Sequence, residues 1–99
     1  MELYKKSRMD TLYYNDEPAY TDELCSVSIS NGIIEVSYMR GSERIRYIGP
    51  ETSQGHFELT GNDGTNSKAT LHRFPNGKVL VGKWRYDNYR GLWQITLSN

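Results

Sequence analysis

The sequence predicts an all-β fold: a single antiparallel meander of about seven strands curled into a small barrel or half-barrel, with an N-terminal arm. Three observations lead there. From residue 24 onward apolar and polar residues alternate with a period of two, as they do in half-buried strands. Short turn signals, Asn31-Gly32 and Asn76-Gly77 among them, fall between the alternating runs, where hairpin chemistry requires positive φ. The inner face implied by the turns is also the one implied by the alternation, and such agreement between levels is stronger than either signal alone.

The 99 residues fit one domain. All nine glycines fall at or after Gly32, and residues 1–23 carry a net charge of −3 against +3 for residues 24–99. An acidic, Tyr-rich arm (1–23) is therefore expected to pack on a mildly basic barrel (24–99), with a short strand around 11–15. Strands are expected at about 24–30, 33–40, 43–49, 54–60, 67–74, 78–86 and 91–98. Asn31-Gly32 would pair Ile29 with Ile34, and Gly41-Ser42 would pair Tyr38 with Ile45. Asn76-Gly77 would pair Leu71 with Gly82, and a four-residue loop at Asp87–Arg90 would set Trp84 against Trp93. Seven up-and-down strands cannot close antiparallel. Either the arm supplies an eighth or the barrel stays partly open.

Gly82-Lys83-Trp84 and Gly91-Leu92-Trp93 place a Gly two residues before a Trp in neighbouring strands. In this the chain resembles, at the level of architecture, the small lipocalin- and avidin-like meander barrels, which carry a Gly-x-Trp near their first strand. The resemblance implies a barrel able to hold a ligand and transfers no binding residues.

Motifs for catalysis are missing: there is no Gly-x-Ser-x-Gly, no phosphate loop and no His-Glu-x-x-His. The single Cys25 falls on an inner face, where a thiol is inert, and no disulfide can form within the chain. No run of about 18 apolar residues suggests a membrane helix, and the first residues lack a secretory apolar core, so a cytoplasmic protein without membrane contact is expected. Twelve basic residues balance twelve acidic ones. Arg44, Arg46, Lys83 and Arg85 face outward while the aromatics between them face in, which leaves bases nothing to stack on, so nucleic acid is not the expected partner.

Three groups of residues remain as candidates. His56 and His72 would lie opposite one another if Phe57 pairs with Leu71 across the Gly61–Ser67 loop, with Glu58 diagonal to them. Two imidazoles and a carboxylate could hold a divalent metal, but a chance surface pairing is the simpler account, and no metal or other cofactor is expected. The outer face carries Ile33, Phe74, Val79, Val81 and Leu92, an apolar surface that calls for a cover or a partner. The arm is the simplest cover and a homodimer contact the next. At one barrel mouth Arg73 interrupts the inward apolar pattern beside Ile29, Leu80 and Leu97, which would suit a small acidic ligand, unless Arg73 merely reaches out to water. The expected function is a non-catalytic binding module, a protein-interaction or antagonist domain that binds another protein or itself. The alternative is a small-molecule barrel using that mouth, and the rival from another class is a metal-dependent enzyme built on His56, His72 and Glu58.

Overall fold

The computed structural model describes residues 1–62 and 66–99. Its strands are β1 (Glu2–Tyr13), β2 (Tyr20–Ser30), β3 (Ile33–Arg40), β4 (Glu43–Ser53), β5 (His56–Gly61), β6 (Lys68–His72), β7 (Val79–Tyr86) and β8 (Tyr89–Thr96). Each pairs antiparallel with the next, and β8 pairs antiparallel with β1, so the sheet closes into a barrel. The strand count is eight, one more than the body alone would supply, and β1 is the one that makes closure possible. No helix long and apolar enough to cross a membrane occurs among the described residues.

The first strand is longer than the short segment expected around 11–15, and the reason it was hidden is local. Tyr4 and Ser7 both turn toward the interior although they are three residues apart, because a bulge interrupts the β1–β2 register between them. That slip erases the period of two from the sequence. Ser7 is fully buried, yet its Oγ donates to the Tyr4 carbonyl and accepts from the Ser98 N–H, so a polar side chain sits in the core without loss. A second irregularity lies between the pairs Met9↔Glu23 and Thr11↔Tyr20. There Asp22 has a positive φ of 58°, and its N–H is held by the Asp10 carboxylate.

The inner face follows the alternation. Cys25, Val27, Ile34, Val36, Ile45, Tyr47, Phe57, Leu59, Leu71, Leu80, Trp84, Trp93, Ile95 and Leu97 form one buried core, joined by Met9 from β1 and Ala69 from β6. Two turns have the expected form. Asn31 and Gly32 both have positive φ, and Ile29 pairs with Ile34; at the next turn Gly41 has positive φ, and Tyr38 pairs with Ile45.

Two turns differ. The connection after β6 is centred on Pro75-Asn76, not Asn76-Gly77: Gly77 N–H donates to the Phe74 carbonyl, and Asn76 has a φ of 58°. Proline presets the first central position and Asn tolerates the left-handed second. The register survives, as His72↔Val81 and Ala69↔Trp84 show, but pairing stops at His72, so Phe74 and Arg73 lie outside the strand. The last hairpin turns on two residues, Asp87-Asn88, so that Tyr86 faces Tyr89 and the register slips by two from the one expected. Trp84 is therefore opposite Gly91, and Trp93 opposite Gly82. Gly91 lies against the Trp84 indole and the Leu12 carbonyl, whereas Gly82 lets the Thr70 backbone of β6 approach. A Cβ at Gly91 would come within 2.7 Å of Trp84 Cζ2, so the glycine makes room for the ring. The β4–β5 connection is also tighter than expected: β4 runs on to Ser53, and Gly55 supplies the positive φ before His56. Residues 63–65 of the Gly61–Ser67 connection lie outside the described residues.

Candidate functional site

The barrel has two ends of different construction. At the end where β2 meets β3 and β6 meets β7, Arg73 forms a plug. Its guanidinium makes an ion pair with Glu2 of β1 at 3.1 Å, and its Nε donates to the Gly77 carbonyl at 2.7 Å. The Tyr4 hydroxyl donates to the same Glu2 carboxylate at 2.6 Å. The hydrogen bond from Tyr4, with Arg73 behind it, holds the Glu2 carboxyl below its ordinary pKa. Tyr4 is raised in turn by its bond to the carboxylate. With only 13% of its side chain exposed, Arg73 neither reaches out to water nor stands open to an anion; its charge is answered by the first strand. Leu80 and Leu97 are packed beneath in the core, and Ile29 lines what space remains, about 200 Å³.

The opposite end is open. Where β1 leads to β2, β3 to β4 and β7 to β8, a cavity of about 330 Å³ enters the barrel. Tyr13, Tyr38, Tyr47, Trp84, Tyr86 and Trp93 form its walls and floor, with Tyr20 at the rim and Met9 and Thr11 on the β1 side. The rings brace one another edge to face: Tyr13 on Trp84 and Tyr47 on Trp93, each at 4.9 Å between centroids. Trp84 and Trp93 lie near-parallel at 6.4 Å, so the two indoles meet inside the barrel as their shared inward parity requires. Such contacts add to the burial energy and fix ring orientation. The Arg40 guanidinium sits 5.4 Å from the centre of the Tyr86 ring at the mouth. Burial raises the Tyr13 hydroxyl above its ordinary pKa, so it stays a neutral donor at physiological pH.

One polar atom in this wall is unanswered. The indole N–H of Trp84 is buried and has no hydrogen-bond partner among the described residues. Buried donors are nearly always paired, and leaving one unmet costs about 1–3 kcal/mol.

The remaining candidates separate. His56 and His72 face one another across β5 and β6, with Phe57 opposite Leu71 as the expected register requires, and their Nδ1 atoms are 2.8 Å apart. Glu58 is opposite Thr70, and no group of three or more His, Cys, Asp or Glu side chains that could hold a metal occurs among the described residues. Of the outer apolar residues, Phe74, Val79 and Val81 share one shallow concavity with the two histidines. Leu92 instead pairs with Leu12 of β1, and Ile33 with Pro50 of β4, so the five do not form one patch. The arm does not cover them: β1 stands in the wall, and Phe74 remains 86% exposed. Cys25 is buried among apolar neighbours, and that burial pushes its thiol up to about 12.

The sequence alone points to no site at this end. Tyr38 and Tyr86 have inward parity near the ends of their strands, but Tyr13 and Tyr20 belong to the segment whose period the bulges hide. Comparison with protein-family models, with curated proteins and with solved structures found no match.

Proposed function

We propose that this chain is a non-catalytic binding module that takes a small, planar, largely apolar molecule into the aromatic end of the barrel. The observation that carries this reading is the cavity of about 330 Å³ whose walls and floor are aromatic rings, Trp84 and Trp93 among them. Ligand sites combine apolar walls with a few placed polar groups, and about 330 Å³ lies at the small end of their size range. Flat faces set edge to face offer slots for a flat guest. The aromatic end is favoured over the mouth at Arg73, because Glu2 already pairs with that cation. Binding without chemistry fits the surroundings: the thiol of Cys25 is buried, and the two histidines lie on the outer wall near the other end.

Calorimetric titration with 2-naphthoate, a flat apolar acid, tests the proposal. Thr11→Phe, which fills the cavity from β1, is expected to abolish the heat of binding, while Arg73→Leu at the other end leaves it intact. Binding lost with Arg73→Leu and kept with Thr11→Phe would reverse the assignment of ends. A second reading, docking of another protein, rests on the exposure of Phe74 beside Val79 and Val81.

A further inference from the structure

The histidine pair on the outer wall has a geometry that neither the cavity nor the core explains. His56 on β5 and His72 on β6 are directly opposite in the register, and their Nδ1 atoms are 2.8 Å apart, an N–H···N hydrogen bond in which one neutral ring donates and the other accepts and whose proton a cation can replace. The ring centroids are 4.3 Å apart and the planes cross at 61°. Two imidazoles meeting head-on through nitrogens at that separation would hold their centres farther apart than this. The rings are therefore inclined to the line between the nitrogens, and their lone pairs do not simply point at each other.

We infer that His56 and His72 form a two-nitrogen chelate for a divalent transition-metal cation, with water completing the coordination. The separation decides the geometry. Two nitrogens each about 2.0 Å from one cation lie about 2.8 Å apart at a right-angle bite and about 3.3 Å apart at a tetrahedral one. The observed 2.8 Å is close to the right-angle value of square or octahedral coordination, within reach of Cu(II) or Ni(II). Imidazole nitrogen suits these ions. The strands supply the preorganisation: the β5–β6 ladder from His56↔His72 to Thr60↔Lys68 fixes both backbones, so little freedom remains to be lost on binding. Phe74, Val79 and Val81 border the same concavity and give the site an apolar shoulder on one side. Glu58, the third ligand weighed from the sequence, is not required; water fills the open positions, and the site is a surface chelate, not a closed cage.

The test uses the intact chain. Cu(II) titration followed by electron paramagnetic resonance should give one bound ion per chain with hyperfine splitting from two imidazole nitrogens. Ni(II) should raise the melting temperature, since an ion that binds only the folded chain stabilises it by mass action. His56→Gln and His72→Gln should each weaken Cu(II) binding about tenfold or more and remove the Ni(II) shift. Both side chains lie on the outer wall, and unchanged far-ultraviolet circular dichroism checks that the variants fold. Cu(II) binding that survives both substitutions, a spectrum with a single imidazole nitrogen, or no binding to the native chain overturns the inference.

Discussion

The two ends of the barrel are made by the same eight strands, yet one is sealed by charge and the other is lined by rings. At the sealed end a cation from the β6–β7 connection meets a carboxylate and a hydroxyl from β1, and each polar group has a partner. At the open end β1 contributes Met9, Thr11 and Tyr13, and the Trp84 indole N–H is left without one. The first strand thus does different work along its length. Where its polar residues answer a buried cation, it closes the barrel end. Where its residues are apolar and aromatic, it leaves a space of ligand size. A local departure from full satisfaction, inside a barrel that satisfies its other end, is where function is expected.

The comparison can be broken first at the floor of the open end. Trp93 is 2% exposed and touches Tyr38, Tyr47 and Trp84. Trp93→Ala should cost about 3–5 kcal/mol, a large share of the stability of a domain this size. Chemical denaturation showing a loss below about 1 kcal/mol would mean that the rings at this end are not a packed scaffold.

The sealed end should give a smaller, pH-dependent effect. Glu2→Gln leaves the shielded Arg73 guanidinium without its anion, and about 1 kcal/mol or less should be lost near neutral pH, since the Glu2 side chain is 43% exposed. Glu2 is held below its ordinary pKa in the folded chain. Its contribution is therefore fully present above the unfolded carboxylate value and is lost as pH falls through the lowered folded value. Urea denaturation at about pH 7 and about pH 3 should show native and Glu2→Gln chains differing less at the second than at the first. An equal gap at both would separate the plug from the ionisation of Glu2.

Much of this arrangement could be read from residues alone, and the failures have physical causes. Positions such as Val27, Ile34, Tyr47, Leu80 and Ile95 were legible because a strand alternates strictly and one face is buried. Met9 and Tyr13 were not, because bulges break the parity of β1 and a strand with broken parity resembles an arm. Arg73 was legible as an exception to the pattern, but its partner Glu2 lies 71 positions earlier on a strand that closes the barrel only in three dimensions. The pairing of Trp84 with Gly91 was missed because loop length, not parity, sets register, and Asp87 serves a two-residue turn as well as a four-residue one.

The smallest stability effect is expected at the rim. Tyr20 is about half exposed, so Tyr20→Ala should change stability by less than about 0.5 kcal/mol while weakening 2-naphthoate binding several-fold. A substitution that costs stability but not binding would show Tyr20 to be a structural residue and shift the site deeper.

The most direct measurement of the central claim is a nitrogen-15 proton correlation spectrum of the chain titrated with 2-naphthoate. The side-chain N–H resonances of Trp84 and Trp93, whose rings line the cavity, should shift together with the amides of Tyr13 and Tyr38, while those of Gly55, Arg73 and Phe74 stay in place. An unmoved Trp84 indole signal, with shifts confined to the Arg73 end or absent altogether, would contradict the account.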